Sequence, residues 1–533
     1  SNADLIDTIS GGAGNDTIEG KAGVDNLSGG TGDDSFVYDS SAADATGVGE
    51  TIAGGDNTDR IVVAGGTTSI NFSDDFISGI ETLDLTTDVD GDPDLNAQSL
   101  RMTDAQIDAL STINAAVGDN ITVHDAMTSD MLGAVDDATK TVVNGTLELK
   151  LTEQTGNIAQ ALTLLEGTMD DAGDLLKVDA SSLTLGDTLT FIGSAETTAR
   201  VSVTGGTGAD SIVGSNADLI DTISGGAGND TITGGAGADS LVGDGGNDVF
   251  LFASETDLED GAALVDTTIS GGGDTDRISV DGGLTVANTV VWSKASSIEE
   301  LYVTGTASSN IALDVTAQTT GIATVNIASS TTNGNVVDVS EYTTLGVEIV
   351  GSTTATNNLT GGDANDTITG GSAADTITGG AGTDSLVGNA GSDLFIYGNA
   401  THETGDTVDG GAGDTDVIRL DATGTYDFTG ATVSNIEEVA VKANAAMTIT
   451  LSDDFNGDDA NVEITNTSGG AITADLTIDA SAFAGGTGAI NVSATNFNGN
   501  DSITGGVGND TINGGAGNDT IFAGTGNDSI NAG

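Results

Sequence analysis

The chain has 533 residues, and its 11 Lys and Arg against 82 Asp and Glu give a formal charge of −71. That charge speaks against nucleic acid and membrane insertion and leaves divalent cations as the natural counter-charge. With 80 Gly, 1 Pro and no Cys, the composition fits arrays of tight turns and excludes collagen or a proline-rich stalk, and no apolar run approaches the roughly 20 residues of a membrane span.

Residues 1–38 form a first repeat block. Its units follow the nonapeptide Gly-Gly-x-Gly-x-Asp-x-U-x, with U a large apolar residue. Asp7, Asp16, Asp25 and Asp34 keep the nine-residue phase, and Ile9, Ile18, Leu27 and Phe36 follow two places later. Glycines at positions 1, 2 and 4 permit positive φ and a tight turn with exposed carbonyls. A carboxylate at position 6 sets a hard anionic oxygen beside them, the donor chemistry of Ca2+ with its roughly six to eight oxygen ligands. The x-U-x tail alternates as a short strand with one buried face, so successive units should stack as a solenoid. Lys21 stands where a second glycine is expected, which weakens that turn's fit to the pattern. Residues 1–18 are identical to 215–232. The chain opens in mid-repeat without a signal-peptide pattern, and is expected to be a piece of a longer array.

The block ends Phe36-Val37-Tyr38, and later blocks end Phe250-Leu251-Phe252 and Phe395-Ile396-Tyr397. This recurring aromatic step is expected to cap the open end of each solenoid. A β-rich spacer, 39–204, opens with GGDNTDRI (54–61) and carries the motif Ser-x-Ile-Glu ending at Glu81. Within it, 99–172 reads as a small α/β insertion. Thr103-Asp-Ala-Gln106 is a capping box followed by Ile107 and Leu110 at helical spacing, and 126–135 and 158–166 also read as short helices. His124 lies here; a lone His is ordinarily a structural or surface residue, and His402 carries no stronger signal. The motif VDASSL (178–183) closes the spacer.

The second block, 205–252, holds Asp210, Asp221, Asp230, Asp239 and Asp248, each followed by its apolar residue, Ile212, Ile223, Ile232, Leu241 and Phe250; one unit carries two extra residues near Ala217. The spacer 253–356 repeats the earlier motifs as GGGDTDRI (271–278), SSIE (296–299) and VDVSEY (337–342). The third block, 357–397, holds Asp366, Asp375, Asp384 and Asp393, with Ser372 and Ala373 departing from the glycine pattern. The spacer 398–495 brings GGAGDTDVI (410–418), SNIE (434–437) and IDASAF (478–483). The fourth block, 496–533, holds Asp501, Asp510, Asp519 and Asp528 and stops in mid-unit. The fold class expected is mainly β: right-handed parallel β-roll or β-helix blocks in tandem, with β-rich spacers and one small α/β insertion. A flexible Gly/Asp linker would not keep phase in both the Asp and the apolar position.

The nonapeptides resemble those of RTX (hemolysin-type calcium-binding repeat) proteins, and the layout of blocks, Ser-x-Ile-Glu segments and Asp-Ala-Ser segments is similar to RTX surface-layer proteins and large RTX adhesins. The resemblance implies two nonapeptides per turn, with each Ca2+ between units one turn apart. The carboxylate pairs would be Asp7 with Asp25, Asp16 with Asp34, Asp210 with Asp230, Asp221 with Asp239, Asp230 with Asp248, Asp366 with Asp384, Asp375 with Asp393, Asp501 with Asp519 and Asp510 with Asp528. That makes nine sites, with the insert near Ala217 disturbing the Asp210–Asp230 pair and the spacers open to more. Backbone carbonyls would complete them: Gly11, Gly12, Ala13, Gly14, Gly29, Gly30, Thr31 and Gly32 in the first block; Gly225, Gly226, Ala227, Gly228, Gly234, Gly235, Ala236 and Gly237 in the second; Gly379, Gly380, Ala381 and Gly382 in the third; and Gly505, Gly506, Gly514, Gly515, Ala516 and Gly517 in the fourth. It also implies type I secretion, an extracellular or bacterial cell-surface location, and folding at extracellular calcium.

The functional expectation is a segment of a cell-surface array (S-layer) or filament, assembling with copies of itself when calcium is met, with cell-surface polysaccharide a candidate anchor. An adhesin stalk is the alternative, and part of a secreted RTX enzyme acting on polysaccharide the second. There is no His-Glu-x-x-His and no Gly-x-Ser-x-Gly, and two His without Cys make a poor transition-metal set. Only paired carboxylates acting on a sugar keep the enzyme reading open, and the chain is expected not to be an enzyme.

Overall fold

The computed structural model describes residues 6–533 except 22, 40–48, 65–68, 73–74, 86–98, 103–105, 107–109, 111, 115–119, 124–145, 152–158, 165–174, 185, 259–264, 287–291, 399–404, 413–414, 452–460, 483–487 and 494–495. The x-U-x tails are too short to persist alone, so each strand takes its hydrogen bonds from the turns stacked on either side. Pairing is parallel: the strand Thr222–Ala227 lies on Ser240–Gly245, with Ile223 opposite Leu241 and Gly226 opposite Asp244. The intervening strand Thr231–Thr233 lies instead on Val249–Phe252, in a second sheet. Two nonapeptides therefore make one turn. The protein is mainly β, with long parallel sheets and very little helix among the described residues.

The chain divides into two compact units: Ser1–Leu251 with Val265–Arg277 and Lys294–Ser297, and Phe252–Leu264 with Ile278–Ser293 and Ile298–Gly533. In the first, one sheet of described strands runs from Ser69–Asn71 through Ser99–Met102, Asn120–Val123, Thr146–Leu151, Leu175–Asp179 and Arg200–Thr204 to Thr222–Ala227, Ser240–Gly245, Thr268–Gly273 and Ala295–Ser296. In the second, Thr285–Val286 starts a sheet that passes through Asn335–Asp338, Asn357–Thr360, Thr376–Thr378, Leu394–Tyr397 and Val417–Leu420 and ends at Ser529–Asn531. Spacer strands and repeat strands thus stack in the same ladders. The apolar U residues align along the interior: Ile212, Ile223, Ile232, Leu241, Phe250, Ile368, Ile377 and Phe395 are all fully buried, each contributing about 1.5–3 kcal/mol of transfer free energy.

Three expectations need correcting. The aromatic step does not cap an open end, because the coil continues past it: Phe36 pairs with Ile61 and Phe395 with Ile418. The rings of Phe36 and Phe395 fill the interior of ordinary turns. The segment 158–166 is not helical where described. Ala159–Thr163 is a strand on Thr188–Ile192 that buries Leu162 and Leu164. Its Ala, Gln and Leu residues favour a helix locally, but the exposed edge of a neighbouring turn supplies partners that outweigh a few tenths of a kcal/mol per residue. The strands described within 99–172 are not set apart either: they are further turns of the same parallel sheets, while Gln106 is helical. Gln106, expected in a capping box, sends its amide to the carbonyls of Phe72 and Asp75 at 2.7 and 2.9 Å. The helix expected at 126–135, His124 and His402 lie outside the described residues.

The Asp-Ala-Ser motif is a strand terminator. Asp179 accepts from the Ser181 N–H, Asp338 from Ser340 and Asp479 from Ser481, at 3.1, 3.0 and 2.9 Å. In the first two cases the next turn of the motif seats the first glycine loop of the following block: Leu183 and Tyr342 accept through their carbonyls from Thr207 and Asp363.

Candidate metal centre

The position-6 aspartates form ladders up the coil. Each donates its own N–H to Oδ1 of the aspartate one turn on. Asp7 to Asp25, Asp16 to Asp34, Asp210 to Asp230, Asp221 to Asp239 and Asp230 to Asp248 span 2.7, 2.8, 2.7, 2.8 and 2.8 Å. Asp366 to Asp384, Asp375 to Asp393, Asp501 to Asp519 and Asp510 to Asp528 span 2.9, 2.8, 2.9 and 3.0 Å. All nine carboxylate pairs implied by the resemblance are therefore brought together on adjacent turns. The two extra residues near Ala217 are absorbed in their own loop, where Ser215 donates its N–H to Asp221 Oδ2 at 2.7 Å, and the Asp210–Asp230 rung is undisturbed.

The second carboxylate oxygen is the revealing one. Oδ2 of Asp16, Asp25, Asp34, Asp230, Asp239, Asp248, Asp393, Asp501 and Asp519 is buried without a hydrogen-bond donor. Except at Asp501, whose loop begins at Asn496, it faces the position-1 glycine of its own loop: a Cβ there would stand 2.2 Å from Asp34 Oδ2 at Gly29, 2.3 Å from Asp230 Oδ2 at Gly225 and 2.5 Å from Asp239 Oδ2 at Gly234. The carbonyl of the next turn's position-1 residue crowds the same point, as Gly54 O would lie 2.6 Å from a Cβ on Gly29 and Gly271 O 2.6 Å from one on Gly243. Position 2 holds positive φ in these loops, at Gly12, Gly30, Gly226, Gly235, Gly380 and Gly515, and position 4 at Gly14, Gly32, Gly228, Gly237, Gly382 and Gly517. Lys21 takes the same left-handed conformation at φ 73, as do Asp244 and Asn389, so the second glycine is replaceable at a modest cost.

Other loops are closed on themselves. Asp210, Asp366, Asp375 and Asp510 accept the position-2 N–H of their own loop at Oδ2, from Gly206, Gly362, Gly371 and Gly506 at 2.7, 2.7, 2.6 and 3.1 Å. None of these four glycines has positive φ. With Asp221, which Ser215 closes, they stand in early loops of the second, third and fourth blocks.

Electrostatics follow the geometry. Burial pushes the carboxyls of Asp239, Asp248 and Asp384 up to about 7 and those of Asp230 and Asp393 to about 6; the ladder N–H opposes the shift and neighbouring carboxylates add to it. A buried anion with one unsatisfied oxygen costs several kcal/mol. Buried carboxylate oxygens converging with carbonyl oxygens, with no donor between them, need a cation. The all-oxygen set suits Ca2+. Among the described residues no three or more acidic or His side chains converge on one point, as befits sites built from one or two carboxylates and several carbonyls.

Sequence reasoning missed the further rungs. Asp34 donates to Asp59, Asp239 to Asp266, Asp248 to Asp276, Asp384 to Asp406 and Asp393 to Asp416, at 2.7, 2.9, 2.9, 3.0 and 2.8 Å. Asp59, Asp276 and Asp416 stand in the GGDNTDRI-type motifs and could have been found from them; Asp266 and Asp406 have no glycine pair before them. Tyrosine hydroxyls meet the ladder at two aromatic steps, Tyr38 donating to Glu50 Oε2 at 2.7 Å and Tyr397 to Asp406 Oδ2 at 3.2 Å. A surface ladder from position 5 was also missed: Asn229 accepts from the Asn247 N–H and Asn509 from Asn527, at 2.9 and 2.7 Å.

No curated protein matches the chain. The RTX calcium-binding nonapeptide repeat matches it four times, over residues 3–36, 217–250, 360–395 and 495–530, and the matches cover most of the aspartate rungs described above. The chain therefore carries four copies of the RTX calcium-binding nonapeptide repeat, and aspartate rungs run through all four.

Proposed function

We propose that this chain is a structural, non-catalytic segment of an extracellular array or filament, exported by type I secretion, that folds and then assembles with copies of itself when it meets calcium. The observation that carries the reading is the sharing of ladders between loops and spacers: within each unit, the glycine-loop strands and the spacer strands are neighbours in one parallel sheet. Ordering the loops therefore offers the spacers a template edge. Calcium supplies the positive charge that the crowded oxygens of the loops lack, and they in turn coordinate it. Without it, stacked carboxylates repel, and glycine-rich loops have much backbone entropy to lose. Binding free energy then becomes folding free energy. Cell-surface polysaccharide is a candidate anchor.

A calcium titration from zero to millimolar, followed by circular dichroism and negative-stain electron microscopy on the same samples, tests the reading. Gain of β-structure with ordered sheets or filaments supports it. Gain of structure with isolated particles throughout favours an adhesin stalk, the second reading, which rests on the same recurring module. No response to calcium overturns both.

A further inference from the structure

Each Ser-x-Ile-Glu motif packs one turn beyond a Gly-Gly…Asp motif of the spacer, outside the segments the repeat model matches. Residue x is left-handed in all three copies, with φ 59 at Gly79, 52 at Ser297 and 55 at Asn435. That conformation turns its carbonyl onto the preceding turn. A Cβ on Gly54 would stand 1.6 Å from Gly79 O and 2.5 Å from Asp59 Oδ2; on Gly271, 1.9 Å from Ser297 O and 2.2 Å from Asp276 Oδ2; on Gly410, 2.0 Å from Asn435 O and 2.6 Å from Asp416 Oδ2. This is the arrangement of the open repeat loops, where a Cβ on Gly29 would stand 2.6 Å from Gly54 O and 2.2 Å from Asp34 Oδ2. Residue x is therefore the equivalent of a position-1 glycine.

The glutamate is the equivalent of position 6. Asp59 donates its N–H to Glu81 Oε2 and Asp416 to Glu437 Oε2, both at 2.8 Å, and the strand register places Arg60 opposite Thr82 and Val417 opposite Glu438. From Gly54 to Asp59 the loop has room to bring a short side chain to the rung. From Gly79 to Glu81 the turn is cut to a single intervening residue, Ile80, which is buried, and the extra methylene of Glu spans the difference. Asp59 is fully buried, and its Oδ2 has no hydrogen-bond donor, although it faces the Gly79 carbonyl.

The same coil shows what a rung looks like where the loop lacks the glycines. At Asn357, in GSTTATN (351–357), the side-chain amide donates to the carbonyls of Ser352 and Ala355 at 3.2 and 3.0 Å. The amide hydrogens there fill the place between carbonyls, and the rung is neutral. Asn335 is a second such rung, linked to Asn357 at 3.2 Å. At Asp59, where Gly-Gly…Asp meets Ser-x-Ile-Glu, the rung keeps a carboxyl group and no donor fills the gap.

We propose that the Ser-x-Ile-Glu turns complete calcium sites of their own: Asp59 with Glu81 and the Gly79 carbonyl, and Asp416 with Glu437 and the Asn435 carbonyl. The Asp276 and Ser297 oxygens mark a third of the same kind. These sites extend calcium stapling from the nonapeptides into the spacers. The proposal rests on the calcium reading of the repeats.

Native mass spectrometry of the whole chain at millimolar calcium, counting bound ions, tests it. The double variant Asp59→Asn, Asp416→Asn keeps a side-chain oxygen for the N–H of Asp34 and Asp393 and matches the natural Asn rungs in shape. It is expected to bind at least two fewer ions than the parent while its circular dichroism at saturating calcium stays the same. An unchanged count overturns the proposal and leaves the calcium reading intact; a parent chain that binds no calcium overturns that reading itself. If the double variant does not fold, Glu81→Gln, Glu437→Gln replaces it, since the amide oxygen still accepts from Asp59 and Asp416. Loss of two ions at submillimolar calcium supports the sites, and an unchanged count there sinks them.

Discussion

Asp239 carries two oxygens with different fates. Oδ1 accepts the Asp221 N–H at 2.8 Å and is content; Oδ2 is buried without a donor. Replacing it with Asn keeps the first interaction and turns the second into a hydrogen-bond donor facing carbonyls, the solution the chain itself uses at Asn357. Asp239→Asn is therefore expected to bind fewer calcium ions at saturation yet to retain more β-structure in chelator than the parent, a pairing that ion counting and circular dichroism would read together. An unchanged ion count would remove Asp239 from the ligand set. The same oxygen makes a pH prediction. Burial raises the carboxyls of Asp239, Asp248 and Asp384 to about 7, against about 3.9 in an unfolded chain. Between those values the folded metal-free form holds more protons than the unfolded form, so its stability falls as pH rises through that window. In chelator, lowering the pH from 8 to 5 should recover β-structure. In calcium the sign reverses, because metal must displace the protons: the calcium midpoint should climb as pH drops below about 7, with protons released on binding at pH 6 to 6.5. A pH-independent midpoint would show that these carboxyls are not the ligands.

The strands and loops of the nonapeptides were legible because two signals, Asp and U, repeat in one phase, and each has a physical cause. The β-rich character of the spacers was legible too, but their rungs were not, for reasons visible in particular residues. Their turns vary in length, as the step from Asp34 to Asp59 and the shorter step from Asp59 to Glu81 show, so no fixed period exists to be found. Asp266 and Asp406 join the ladder without a glycine pair to announce them. Ala159–Thr163 carries helix-forming residues and became a strand because a neighbouring turn offered an edge. The aromatic steps were legible as structural but misassigned as ends. Phe395 belongs to the interior, while Tyr397 packs edge-on against Phe428 at 5.8 Å and sends its hydroxyl to Asp406 at 3.2 Å. Burial, with Asp406 beside it, holds the hydroxyl protonated far above the ordinary tyrosine range, so it serves as a fixed donor at the turn after the glycine pattern fades. Tyr397→Phe keeps the ring and removes that donor. It is expected to cost about 1.5–3 kcal/mol in calcium-saturated urea unfolding, the range for a hydrogen bond to a charged group. A change below a few tenths would mean that Asp406 takes its compensation from elsewhere.

Over the whole molecule, a formal charge of −71 raises the question of whether calcium acts by coordination or merely by neutralisation. Net charge of this size opposes any compact state, and simple screening would relieve much of it: at about 1 M salt the Debye length falls to about 3 Å. Screening, however, leaves the buried oxygens as they are. Asp34 Oδ2 would still face the Gly54 carbonyl with no donor between them, and ions kept outside the coil cannot reach that contact. Mg2+ could enter only by giving up waters it holds firmly, and it demands a small octahedron that loops built around a larger, more flexible coordination shell do not supply. The geometry therefore separates the two explanations. Sodium chloride at 1 M and magnesium at 10 mM are expected to leave the chain largely without β-structure, while calcium at about 1 mM folds it, followed by circular dichroism in chelator-stripped buffer. If sodium or magnesium folds the chain as well as calcium does, repulsion alone was the barrier, and the buried carboxylate oxygens are satisfied by protons.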